Sequence, residues 1–256
     1  MNRPLVSPPM SIRKLRVIGA AARLVATGLG VAAAAYAGSV AHSWYRYGSP
    51  RPAVKDEPDV LLDRFMPAYE VVERHRVRVR ASAEITLAAA RDQDLLASPL
   101  IRAIFKARAV ALGSRPDERV RPRAVIPQML TLGWGVLVDV PDREIVMGAV
   151  TRPWEPNPRF RAIAPGEFAA FNDPEYVKII WSLRADPLGP EESMFRTETR
   201  AVATDDFARL KFRRYWALVS PGVALIRQAS LGPLKAEAER RAQLRPTPTS
   251  AATAAR

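Results

Sequence analysis

From Tyr69 to Ala81 the chain alternates strictly, with Val72, Arg74, Arg76, Arg78 and Arg80 on one parity and Val71, Glu73, His75, Val77 and Val79 on the other. Successive side chains of a strand point to opposite faces, so this pattern predicts a half-buried strand with an arginine-lined solvent face. Ser82 then caps a helical stretch, SAEITLAAARD, and a second one, LIRAIFKARAVALG, follows Pro99 and stops at Gly113. Leu100, Ile101, Ile104 and Ala107 make the second stretch's apolar stripe. From residue 129 strands take over. MLTLGWGVLVDV, the turn Pro141-Asp142-Arg143 and EIVMGAVTR read as a hairpin. A Pro-rich loop follows, with a short strand expected near Phe160–Ile163. EYVKIIWSLRADPL and SMFRTETRAVAT then pair around Gly189-Pro190-Glu191-Glu192. A long final helix is expected from a cap at Thr204, with Asp205 and Asp206 at its positive end and Phe207, Leu210, Tyr215, Leu218 and Val219 as its buried stripe. Pro221-Gly222 should kink it, and Gly232-Pro233 should interrupt it.

The N-terminal pattern differs. Leu24–Ala41 carries no charge over eighteen residues, preceded by Arg3, Arg13, Lys14, Arg16 and Arg23 and followed by Trp44, Tyr45, Arg46 and Tyr47. A helix of that length rises about 27 Å, close to a bilayer's hydrocarbon thickness. The expectation is a single-pass membrane anchor with interfacial aromatics, its N-terminus cytoplasmic and the body outside. Two alternatives stand beside it: a signal peptide cleaved near Ser39-Val40-Ala41, which would leave a secreted body, and a soluble Ala-rich helix. The layout is then a basic N-terminus and anchor over 1–47, a Pro-rich linker over 48–59, a domain over 60–230, and a helix end with a disordered tail over 231–256.

The net charge of +13 invites a nucleic-acid reading until it is divided by region. Residues 1–55 contribute +8, residues 227–256 contribute +4, and residues 56–226 contribute +1. A nucleic-acid binder would concentrate basic charge on the folded body, so the expected partners are a membrane and no nucleic acid. With no cysteine and only His42 and His75, thiolate chemistry, Cys-based zinc sites and His clusters have no material. No metal or organic cofactor is expected.

Strand, two short helices, a run of antiparallel strands and a long C-terminal helix is a distinctive order. With the segments YEVVERHRVRVRASAEITLAAARDQDL and YVKIIWSLRADPL…FRTETRAVATDDFARLKFRRYW, it resembles the START-like (SRPBCC, polyketide cyclase-like) superfamily over roughly residues 60–230. The resemblance implies an α+β helix-grip fold, in which a curved antiparallel sheet wraps the long helix. It also implies an apolar cavity between the two, used by family members for lipids, sterols or aromatic polyketides. No family catalytic motif is matched residue by residue.

Candidate cavity residues follow from parity and chemistry. His75 falls on the apolar side with Val77 and Val79, beside Glu73, as a polar handle or general base. Trp134, Trp181, Tyr215 and Trp216 offer aromatic lining, and Glu198, between Arg196 and Arg200, could orient a ligand or simply belong to a surface ion-pair row. The expected function is binding of a hydrophobic small molecule or lipid. A cyclase- or hydrolase-type enzyme using Glu73, His75 or Glu198, and a structural domain with a filled interior, are the alternatives.

Overall fold

A computed structural model describes residues 12–50, 52, 58–114 and 122–244. Half of the expected linker, residues 51 and 53–57, and the expected tail from Arg245 lie outside the described residues. The architecture is α+β: a five-stranded antiparallel sheet in the order β1-β5-β4-β3-β2, crossed by one long C-terminal helix. The strands are β1 (Val71–Val79), β2 (Gly135–Val140), β3 (Glu144–Thr151), β4 (Val177–Gly189) and β5 (Glu192–Ala203). The helices are α1 (Ile12–Arg46), α2 (Val60–Phe65), α3 (Ala83–Asp92), α4 (Pro99–Ala111), α5 (Val125–Thr131), α6 (Pro165–Phe168) and α7 (Asp206–Leu244). The antiparallel sheet and long C-terminal helix agree with the expected α+β class.

Local chemistry accounts for many boundaries. Ser82 accepts the Ile85 N–H at the start of α3, and Ser98 accepts the Ile101 N–H at the start of α4, where Pro99 occupies a position that needs no donor. The cap of α7 lies one residue later than expected. Asp205 Oδ1 accepts the Ala208 N–H at 2.6 Å, while the Thr204 hydroxyl is engaged with the Tyr176 backbone. The hairpin region also starts differently, since residues 125–131 form α5 and β2 begins at Gly135. Between them Gly133 turns at φ +99°, and a Cβ there would stand 2.2 Å from the Phe160 carbonyl oxygen. The strand expected near Phe160–Ile163 reduces to one bridge, Val150 to Arg161.

α7 runs unbroken from Asp206 to Leu244 with Pro221 and Pro233 inside it. Each proline removes a backbone donor, but packing on both sides holds the helix: Phe212 and Ala217 are buried before the first, Leu234 and Ala238 after the second. The buried line is Ala208, Phe212, Ala217, Ser220, Leu234 and Ala238. Phe207, Leu210 and Leu218, expected inside, are half exposed. Small residues let the helix approach the sheet closely, so residue size rather than apolarity chose the inward face.

α1 is a helix, but the span expected over residues 24–41 is not found. Among the described residues no helix is long and apolar enough to cross a membrane; the side chains of Leu24, Val25 and Leu29 lie outside them. The run is dominated by Ala and Gly, and its C-terminal part is committed to α7. The Tyr36 hydroxyl donates to the Leu218 carbonyl at 2.6 Å, Ser43 meets Ser220 at 2.7 Å, and Arg213 donates to the Trp44 carbonyl at 3.1 Å while lying over the Trp44 ring. Trp44, expected in an interfacial belt, is thus a docking residue.

The two sheet faces differ. On the inner face, beneath α7, one apolar cluster gathers Val79, Trp181, Leu183, Phe195, Leu234 and Ala238, and another gathers Val71, Val177, Ala201 and Phe212. On the outer face α2 covers Ile180 and Val146 with Leu62, Phe65 and Met66, joined by Phe168 of α6. The expected arginine-lined solvent face holds for Arg76, Arg78 and Arg80, which are exposed, whereas that cover largely encloses Arg74.

Candidate functional site

Pairing across three strands composes a polar band between the two inner clusters. Glu73 is opposite Thr199, and Thr199 is opposite Trp181; one step along, His75 is opposite Thr197, and Thr197 is opposite Leu183. Antiparallel partners share a face, so Glu73, Thr199 and Trp181 form one row and His75, Thr197 and Leu183 the next. α7 brings Arg227 down onto this band. Arg227 Nη2 donates to Thr199 Oγ1 at 2.7 Å, and the guanidinium lies 5.5 Å from the centroid of the Trp181 ring. Burial pushes Arg227 down from its ordinary value to about 10, against the attraction of Glu73.

The band is polar but incompletely satisfied. His75 Nε2 stands 3.6 Å from Glu73 Oε2, too far for a hydrogen bond, and both His75 Nε2 and Thr197 Oγ1 are buried without a hydrogen-bond partner. Buried polar atoms left unpaired cost about 1–3 kcal/mol each. The band therefore holds one cation, Arg227, one carboxylate, Glu73, two threonine hydroxyls and one imidazole nitrogen, with apolar walls on both sides.

Of the residues singled out in the sequence, the structure brings Glu73, His75 and Trp181 together here. Trp134 joins them indirectly, packed edge-on to Trp181 at 6.4 Å between ring centroids and stacked on Phe160 at 5.2 Å. Tyr215 and Trp216 belong to the other end of α7. Tyr215 stacks on Phe212 and its hydroxyl accepts a hydrogen bond from Arg108 at 3.2 Å, while Trp216 tilts against Phe212 at 5.9 Å.

Glu198 is on the opposite face, which removes it from the candidate site. It is also no exposed surface pair: Glu198 accepts from Arg74 at 2.9 Å and from Arg200 at 2.7 Å, and Arg200, only 2% exposed, also donates to Asp63 and the Met66 carbonyl. Beside this network Asp59 accepts from Ser182, and Glu144 is buried next to it. Burial and the Asp59 carboxylate raise Glu144 from its ordinary value to about 9. A pocket of about 190 Å³ opens on this outer face, lined by Asp59, Arg74, Arg184 and Glu198 among others, and another of about 380 Å³ lies beside α2. Neither pocket lies between α7 and the sheet.

Arg227, Thr197 and Thr199 were not singled out from the sequence. One signal was present: Arg227 is the only charged residue between Ala217 and Leu234. Among the described residues no group of three His, Cys, Asp or Glu side chains could hold a metal ion.

No protein-family model and no curated protein matches this sequence. Among solved structures, the chain is similar to a hypothetical protein from Helicobacter pylori at 10% identity and TM-score 0.35, covering 73% of this chain and 97% of that one. It is similar to a START superfamily protein from Mycobacterium smegmatis at 13% identity and TM-score 0.28, covering 67% and 97%. Norcoclaurine synthase from Thalictrum flavum, in complex with dopamine and hydroxybenzaldehyde, matches at 9% identity and TM-score 0.32, covering 77% and 99%. These are likenesses of outline and assign neither a family nor an activity to this chain.

Proposed function

We propose that this domain binds a hydrophobic small molecule or lipid beneath α7, with its apolar body against the two inner clusters and its polar end read by Arg227, Thr197 and His75. The observation that carries this reading is the pair of buried, unpaired atoms, His75 Nε2 and Thr197 Oγ1, beside a cation that packing has brought onto the sheet. An arginine with two vacant polar neighbours suits a carboxylate or similar anionic head group, which could satisfy all three while sharing the Arg227 cation with Glu73. A long-chain fatty acid has that chemistry. α7 closes over the band, so entry requires the helix to shift.

The test uses the full chain, delipidated by organic extraction and refolded, and titrated with a fluorescent fatty acid and with its neutral methyl ester. Saturable binding of the acid, at least about tenfold tighter than of the ester, supports the reading. No saturable binding of either probe would sink it. Binding of the ester as tight as the acid would leave an apolar site and remove Arg227 from the recognition.

A further inference from the structure

We infer that the outward side of α7, framed by α1 and α4, is a docking surface for an anionic lipid bilayer, on which the protein lies flat without spanning it. The inference begins with the apolar residues that the domain leaves outside. Leu218 is 55% exposed, Phe207 50% and Leu225 48%. At about 100° per residue, positions 207, 218 and 225 fall within about 20° of one another in turn, so they form one line along α7. The line lies on the side of the helix away from Phe212, Ser220 and Arg227, which face the sheet or α1.

The helices on either side border this line. α1 meets α7 through Ser43 and Trp44 on one flank. α4 meets it on the other, where Ile104 approaches Gly222 and Arg108 reaches Tyr215. α4 leaves Phe105 and Val110 exposed about 140° apart around its axis, so only one of the two can adjoin the line. A row of exposed apolar residues along α7 marks an interaction surface.

Charge identifies the occupant. Neither α1 nor α4 contains an Asp or Glu, and α7 has none between Asp206 and Glu237. Exposed cations on these helices include Arg23, Arg46, Arg102, Lys106 and Arg214, and Arg214 falls within about 40° of the apolar line. Two acid-free helices thus flank the acid-free stretch of α7. A second copy of this surface would face cation with cation, so self-pairing is disfavoured, whereas anionic headgroups over an acyl interior match both features. No helix among the described residues is long and apolar enough to cross, and the proposal is one of adsorption to the surface.

The full chain is sedimented with vesicles of phosphatidylcholine alone and with vesicles holding about a third phosphatidylglycerol. Binding is expected only to the anionic vesicles and should fall with salt. Lys106→Glu with Arg214→Glu should weaken partition about fivefold per reversed charge. Leu218→Asp with Leu225→Asp should weaken it at least about tenfold. Leu188→Asp, on the β4–β5 turn, should leave it unchanged, and thermal melts within a few degrees of wild type confirm that the variants fold. The charge-reversal pair lies on exposed positions and keeps the test valid if the leucine pair fails to fold. Failure to bind anionic vesicles overturns the proposal, as does unchanged binding of the charge-reversal pair, which would place attachment elsewhere in the chain. A dimer in light scattering that Leu218→Asp splits would assign the surface to a second copy instead. Because no fatty acid enters this assay, its outcome is independent of the ligand reading.

Discussion

Arg227→Met separates the cost of the buried cation from its use. The guanidinium falls from its ordinary value to about 10 on folding because the folded state desolvates its charge. At about 1.4 kcal/mol per tenfold change this corresponds to roughly 3 kcal/mol, reduced to roughly 2 because the residue keeps partial contact with water. The hydrogen bond to Thr199 and the contact with the Trp181 ring return about 1–2 kcal/mol together. Methionine keeps the apolar stem and removes the charge. The variant should therefore fold with a stability at pH 7 between unchanged and about 1 kcal/mol higher, which for a domain of this size raises the melting temperature by at most about 4 °C. The sign with pH follows from linkage: a base whose folded value is lowered leaves the unfolded chain holding more protons once pH rises past about 10. Wild-type stability should then rise with pH above about 10 relative to the variant, closing the gap. In the same preparation, affinity for the fluorescent fatty acid should fall at least about tenfold. Melting curves at pH 7 and pH 10.5, with a binding titration, check all three. A fall in melting temperature of more than about 6 °C at pH 7 would refute the reasoning, since the arginine would then be a structural tie and not a tolerated cost.

Glu144→Gln should matter through pH. A carboxyl raised to about 9 in the fold and ordinary when unfolded contributes stability below pH 4.5 that is lost as pH climbs toward 9, so the glutamine variant should gain on the order of 2–4 kcal/mol over wild type by pH 8 and little at pH 4; parallel melting profiles from pH 4 to 9 would contradict it. Arg200→Met removes one partner of a nearly enclosed pair and leaves Glu198 with Arg74 alone, so urea midpoints should report a loss of about 3–5 kcal/mol. Gly133→Ala places a Cβ against the Phe160 carbonyl at a positive φ and should cost at least about 2 kcal/mol by the same assay.

Much of the fold was legible because the periods were clean. The alternation over 71–79 gave β1 and set Glu73 and His75 on the inner side, and Ser82 and Pro99 marked helix starts by their chemistry. Three features were not legible, for different physical reasons. Glu198 lies on the outer face because strand pairing, invisible within one strand, sets its parity against Arg74. The inward face of α7 was misjudged because close packing selected Ala208, Ala217 and Ala238 over larger apolar residues nearby. The role of Trp44 depends on contact with Arg213, some 170 residues away in the chain, and no local pattern carries that. The candidate site was half visible: the strand contributed a readable pair, while Arg227 entered from a helix whose rotation could not be read.

The two prolines of α7 have a mechanical consequence. Pro221 and Pro233 cannot donate to the carbonyls one turn before them, so two joints bound a stretch of twelve residues, about 18 Å long. Phe212 pins the chain before the first joint and Leu234 after the second, while Arg227 hangs from the plank between. Such a roof can tilt open with its ends still fastened, as a trapdoor on two hinges does, and the sheet beneath need not deform. Amide exchange should accordingly be faster for residues 222–230 than for either anchored end, and uniform protection along the helix would mean the roof is fixed.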